Sequence, residues 1–275
     1  LAYFSHTISL SFTWKLLKNH MSAIIKDVIF PILCYTKDDH ELWQSDPIEY
    51  IKFKFETFED LDSPVSTAEQ LLLTACKKRK NMLNGTMLFM VEVLNESPKD
   101  SSRYDGALHI IGTLSSLLLR RDLYRTQLDT LFVTYVIPGF SDVAPHIRAR
   151  ICWICSRFSC TTFQQEDILG QVVQNNINLY LHDEELPVKI EAGVAIMMLI
   201  AEGQPKIQDI VRPFAQVIAM QSLNLIRDTE CEDVMTMLQK LFSCFITELT
   251  PIAVDIGQHI TGTYLQLLAD GFSEE

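Results

Sequence analysis

Apolar and small residues along this chain recur at i, i+3, i+4 and i+7, the spacing of one face of an α-helix, in five separate places. The runs are Ala68, Leu71, Leu72 and Ala75; Ala107, Ile110, Ile111 and Leu114; Ile151, Ile154, Cys155 and Phe158; Ala192, Ala195, Ile196 and Leu199; and Val234, Met237, Leu238 and Leu241. Their first positions, 68, 107, 151, 192 and 234, are separated by 39, 44, 41 and 42 residues. Between them lie further helical stretches, at 23–35, 81–94, 122–137, 163–181, 207–227 and 251–268. Three of these carry a mid or late proline, Pro31, Pro138 or Pro213. Proline lacks the backbone donor and crowds the preceding turn, so each is expected to bend or end its helix. Sustained alternation and Gly-rich hairpin dipeptides, the marks of strands, are missing.

A period near forty residues holds two helices and two turns, the length of a HEAT or armadillo repeat. The expected fold is therefore all-α, an α-α superhelix of the HEAT/armadillo solenoid type. A single array over 1–275 is expected, of about five helix pairs with flanking helices. Small residues such as Ala107 and Ala192 let neighbouring helices approach closely. Asp142 lies six residues before Arg148, and Asp183 six before Lys189. The acid is expected to cap the second helix and the base to pair with acids of adjacent repeats. At Asp228 the same offset meets Val234, so the ladder stops there.

One stretch departs from the repeat. Residues 36–62 hold nine acids against three lysines, with Trp43, Tyr50, Phe53, Phe55 and Phe58 among them. Disordered segments usually lack such aromatics, and long connections are usually functional or disordered. Asp46-Pro47 fits a helix start, with the acid as cap and proline in the first turn. An ordered acidic insertion at 37–62 with a short helix is expected. Two readings stand level: a clamp for a basic partner, or a solvated insertion packed on its own aromatics.

Composition sharpens this picture. The 275 residues are 48% hydrophobic and 21% charged, which is globular composition, and carry a net charge of −12. Free nucleic-acid binders are normally basic, so direct nucleic-acid binding is not expected. An acidic surface favours basic partners, though for an acidic protein in general solubility is the more ordinary reading. No apolar run reaches the length of a membrane span, so no membrane insertion is expected. The N-terminal stretch is no secretory h-region, and a first residue of Leu1 suggests an internal piece of a longer protein.

Chemistry-bearing motifs are few. Seven cysteines sit at 34, 76, 152, 155, 160, 231 and 244, mostly in apolar helical runs, which reads as reduced thiols. Cys152 and Cys155 have metal-ligand spacing, but Cys155 occupies a core template position, so both are read as core residues. Lys77-Lys-Arg-Lys80 resembles a nuclear localisation signal, but it ends an expected helix, where positive charge suits the macrodipole, and it is read as structural. The glycosylation patterns at Asn84 and Asn95 are read as chance. The seven histidines are scattered without HExxH, and no P-loop, GxSxG or GxGxxG is present. No catalytic residue, metal or cofactor is expected.

Several segments match a known family. Trp14-Lys-Leu-Leu-Lys-Asn-His20, Val28-Ile-Phe-Pro31-Ile-Leu-Cys34-Tyr-Thr36 and Glu41-Leu-Trp43-Gln-Ser-Asp46-Pro-Ile-Glu-Tyr50-Ile51 resemble the importin-β superfamily, nearest its importin-7 and importin-8 branch. The likeness continues through Asp105-Gly-Ala-Leu-His109, Arg148-Ala-Arg-Ile-Cys-Trp153, Pro187-Val-Lys-Ile-Glu-Ala192 and Thr250-Pro-Ile-Ala-Val254. The resemblance implies a central fragment of a nuclear transport receptor that shuttles between cytoplasm and nucleus. It implies binding to the GTP form of the Ran GTPase, to basic cargo such as ribosomal proteins or histones, and to Phe-Gly nucleoporins. By position and by its Asp-Pro-x-Glu-Tyr-Ile core, the insertion resembles one through which a related export receptor touches Ran. Asp38, Asp39, Glu41, Asp46, Glu49, Glu59, Asp60 and Asp62 are thus the candidate residues for Ran or basic cargo. The alternative is a general HEAT scaffold that organises a complex without Ran.

Overall fold

The computed structural model describes residues 1–55, 63–229 and 231–271. Every regular element among them is helical. The fold is all-α, of the helical-repeat solenoid class, and the chain forms two compact units, Leu1–Gln164 and Gln165–Glu275.

All five periodic runs fall on long helices: Pro64–Lys78, Ser101–Thr113, Pro145–Arg157, Leu186–Ala201 and Glu232–Cys244. Leu114 and Phe158 stand at helix ends as C-caps. Each of the twenty template side chains is buried, the most accessible being Leu238 at 6%. In the first unit, Ser101–Thr113 packs on Met82–Leu94 and on Pro145–Arg157. In the second, Leu186–Ala201 packs on Glu166–His182 and on Glu232–Cys244. Close approach is visible at Gly193, where an added Cβ would lie 2.9 Å from Tyr180 and 3.1 Å from the Met237 sulfur.

The intervening helices break at their prolines, and in two of them the break takes one form. A π-helical segment, Ile24–Ile29, ends two residues before Pro31, and another, Phe132–Val136, ends two before Pro138. A proline ring displaces the carbonyl four residues back and offers it no N–H. The preceding turn widens to i+5 bonding, which relieves that crowding. At Pro138, Pro213 and Pro251 the chain itself tightens into 3₁₀ turns, Ile137–Ser141, Arg212–Phe214 and Thr250–Ile252. The stretch expected as one helix at 122–137 is divided into Asp122–Arg125 and Leu128–Leu131 before its π segment.

The two aspartates singled out in turns do not cap in the expected way. Asp142 accepts from the Ala144 N–H at 2.9 Å and Asp183 from the Glu185 N–H at 3.0 Å, matching side-chain turns 41 residues apart. The helix N-caps that follow are Ala144 and Glu185, with no side-chain cap. Arg148 turns back, and its Nη1 donates to the Asp142 carbonyl at 2.9 Å. A short acid two residues before the cap orders the turn, and the helix starts beyond its reach.

Candidate partner-binding surface

Among its described residues, the acidic insertion forms two nine-residue helices, Lys37–Ser45 and Pro47–Phe55, hinged at Asp46. The first was not expected. Thr36 and Asp39 make a reciprocal capping box: the Asp39 N–H donates to Thr36 Oγ1 at 3.0 Å, and the Thr36 N–H to Asp39 Oδ2 at 2.9 Å. Asp46 starts the second helix by accepting the Glu49 N–H at 2.9 Å. Trp43 and Ile51 are buried, and the Trp43 and Tyr50 rings lie 4.9 Å apart. Phe53, grouped with them by sequence, is 59% exposed.

The pair is fixed at its root. The Tyr35 ring stacks flat on His146 at 4.0 Å, and the Ser102 hydroxyl donates to the Tyr35 carbonyl at 2.5 Å. Tyr35 therefore ties the start of the insertion to both Ser101–Thr113 and Pro145–Arg157. Burial drives the Tyr50 hydroxyl well above its ordinary pKa, and the Arg150 and Asp105 charges are the next largest influences on it.

Those two charges belong to a ladder of polar pairs between consecutive repeats. Arg150 Nε donates to Asp105 Oδ1 at 2.8 Å and Nη2 to Oδ2 at 3.3 Å, with Asp105 only 2% exposed. His109 Nε2 lies 2.8 Å from Glu69 Oε1 and Nδ1 lies 3.0 Å from the Leu33 carbonyl. The Thr113 hydroxyl donates to the same Glu69 oxygen at 3.2 Å. The Trp153 ring meets His109 edge-on at 5.3 Å and lies under the Arg150 guanidinium at 4.9 Å. Burial, then the Arg150 charge, hold His109 below its usual value. A neutral ring donates once, and the Glu69 carboxylate is the stronger of its two acceptors. Burial pushes Glu69 up, but its bond to His109 and that of Thr113 outweigh this and leave it below the usual carboxylate range.

Among the sequence candidates, Asp38, Glu41 and Glu49 are exposed on the helix pair. Asp39 and Asp46 are engaged as helix caps. Glu59, Asp60 and Asp62 lie outside the described residues. The structure thus brings Asp38, Asp39, Glu41, Asp46 and Glu49 together in one helical hairpin. Sequence reasoning passed over Asp105, His109, Arg150 and Glu69. A signal was available: Glu69 and His109 are 40 residues apart, Asp105 and Arg150 are 45 apart, and all four are ionisable side chains inside apolar helices.

The Cse1 family profile matches residues 12–115. Importin-8 of Mus musculus is 37% identical over 273 residues, which is 99% of this chain and 27% of the relative. Importin-8 of Danio rerio is 36% identical over 275 residues, 100% of this chain and 27% of the relative. The importin beta-like SAD2 homolog of Arabidopsis thaliana is 28% identical over 271 residues, 96% of this chain and 26% of the relative. The chain belongs to the importin-β superfamily. It spans about a quarter of the length of these relatives.

In this importin-family chain the CxxC cysteines sit inside the Pro145–Arg157 helix, Cys152 at 0% and Cys155 at 1% exposure. No group of three or more metal-ligating side chains converges among the described residues. No single helix among them is long and apolar enough to cross a membrane. The basic run Lys77–Lys80 ends its helix: Lys77 and Lys78 occupy the last turn and Arg79 is the C-cap. Arg79 also spans 71 residues to donate Nε to the Ile8 carbonyl at 2.9 Å, with its guanidinium over Trp14 at 4.8 Å. At least this member of the run has a structural duty.

Proposed function

We propose that the chain is a segment of a nuclear transport receptor, a binding scaffold without catalysis that takes part in Ran-GTP-regulated import. Its repeats form one continuous array in this reading, and the receptor shuttles between cytoplasm and nucleus. The observation that carries the proposal is similarity to importin-8 along 99% of this chain, joined to an ordered acidic hairpin held on the repeat helices. Within it, Asp38, Glu41 and Glu49 supply exposed charge to Ran or to a basic cargo such as a ribosomal protein or histone. Glu59, Asp60 and Asp62 belong to the same candidate stretch, and Asp39 and Asp46 contribute by holding the helices. Fixed carboxylates raise encounter rates with basic partners and penalise acidic ones. Phe-Gly nucleoporins complete the expected partner set.

The test is a pull-down with the full-length receptor, wild type against Asp38→Lys/Glu41→Lys/Glu49→Lys. Ran loaded with GTP or GDP and a basic ribosomal protein serve as baits. GTP-selective binding in wild type, weakened by the reversal, supports the proposal. Equal capture of both Ran forms by wild type favours a scaffold without Ran dependence. Selective capture that survives the reversal removes the hairpin from the Ran site.

A further inference from the structure

A cavity of about 300 Å³ opens where the turn after Pro64–Lys78 meets the segment after Ser115–Leu118. Arg79, Lys80 and Arg121 line it, together with the amide side chains of Asn81 and Asn84. Leu123, 63% exposed, and the half-buried Tyr124 form an apolar part of the wall. Lys77, Lys78 and Arg120 are exposed on the same two segments. In a chain of net charge −12 this is a local reversal of sign.

The cations here are not equivalent. Arg79 is committed to the Ile8 and Leu10 carbonyls and to the Trp14 ring. Lys80 and Arg121 are exposed, and among the described residues neither pairs with an acid. Asp122, the acid next to Arg121, is taken by Arg125 at 2.7 Å. Asn81 stands in the left-handed region at φ 67°, a conformation asparagine tolerates better than most residues, and it holds the turn that brings Lys80 to the cavity.

We propose that this cavity binds an acidic peptide segment of a partner protein. Carboxylates would meet Lys80 and Arg121, backbone amides would meet Asn81 and Asn84, and one apolar side chain would lie on Leu123. Two free cations, two side-chain amides and an exposed leucine match a short peptide. A nucleic acid needs an extended basic track, and the surrounding acidic surface repels it. The site is separate from the acidic hairpin and selects the opposite partner charge.

Fluorescence anisotropy on the full-length receptor tests this, using a labelled Asp/Glu-rich peptide with one leucine and an oligoribonucleotide as competitor. Lys80→Glu/Arg121→Glu changes only exposed positions and is expected to weaken the peptide about tenfold or more with an unchanged thermal melt. Leu123→Ala is expected to weaken it severalfold, and added salt to weaken it throughout. Absence of peptide binding in wild type overturns the proposal, as does binding that the double reversal leaves intact. An oligoribonucleotide that binds more tightly than the peptide, and is lost on the same reversal, assigns the cavity to nucleic acid and overturns it too.

Discussion

Arg150 reaches from one repeat helix to the next and sets its Nε 2.8 Å from a carboxylate oxygen of Asp105, which is 2% exposed. Such a pair is weak support for stability in itself, but breaking it leaves a buried charge alone. Arg150→Met is expected to destabilise the first unit by about 3–5 kcal/mol. The double variant Asp105→Leu/Arg150→Met is expected to recover most of that loss. Amide hydrogen exchange over Ser101–Thr113 and Pro145–Arg157 reads both outcomes locally, which suits a repeat protein that need not unfold in two states. Equal losses in the single and double variants would mean that the ion pair itself stabilises the stack.

Two glycines in helices are expected to answer alanine in opposite senses. A Cβ at Gly112 would fall 2.1 Å from Trp153 Cζ3 and 2.6 Å from Cη2, so the ring, wedged by His109 and Arg150, must move. Gly112→Ala is expected to cost about 1–3 kcal/mol and to shift the tryptophan fluorescence. Gly85 sits within Met82–Leu94 with nothing inside 4 Å of the same position. Gly85→Ala is expected to stabilise by about 0.8–1 kcal/mol through helix propensity. Thermal melts of the two variants check the signs.

The ladder also fixes a pH dependence. His109 is held below the ordinary 6.5 by burial and by Arg150, against the pull of Glu69 and Asp105. The unfolded chain therefore binds more protons than the folded one just below pH 6.5, and stability falls as pH drops through that window. His146, lowered by burial beneath the Tyr35 ring, acts in the same direction. Glu69, lowered from 4.5, adds a second loss that starts only below that value. His109→Gln keeps a donor for Glu69 and removes the titration, so its melting temperature is expected to be flatter between pH 6.5 and 4.5. A wild type that gains stability on acidification there would show that an imidazolium bonded to both Glu69 and Leu33 outweighs the burial cost.

The five helices that carry the periodic runs were legible because their signal is local: four apolar positions per run, repeated about every forty residues, and all of them are buried. The broken intervening helices were only half legible. Pro31 and Pro138 foretold the bends, but not the π-helical turns before them, since the local sequence does not say how the backbone relieves the crowding. Asp46 was readable as a cap because proline follows it, while Thr36 and Asp39 went unread, the box having Asp where Glu or Gln is usual. The ladder needs register between helices 40–45 residues apart, which no single helix encodes. Tyr180 and Ser222, bonded at 2.7 Å across 42 residues in the second unit, repeat that lesson with neutral groups.

The insertion allows folding and binding to be separated by choice of acid. Asp39 and Asp46 cap helices, so Asp39→Ala or Asp46→Ala is expected to cost about 0.5–2 kcal/mol of local stability. Trp43→Ala, which empties the centre of the hairpin, is expected to cost about 3–5 kcal/mol. Asp38, Glu41 and Glu49 are exposed, and their reversal is expected to stay within about 0.5 kcal/mol of wild type. Partner affinity should sort differently: reversal at 38, 41 and 49 should weaken a basic partner with hydrogen exchange at 37–55 unchanged. Trp43→Ala should weaken it only as far as exchange there rises. Affinity that ignores the charges but follows the Trp43 variant would make the hairpin a shaped contact, and its acids a solvated face.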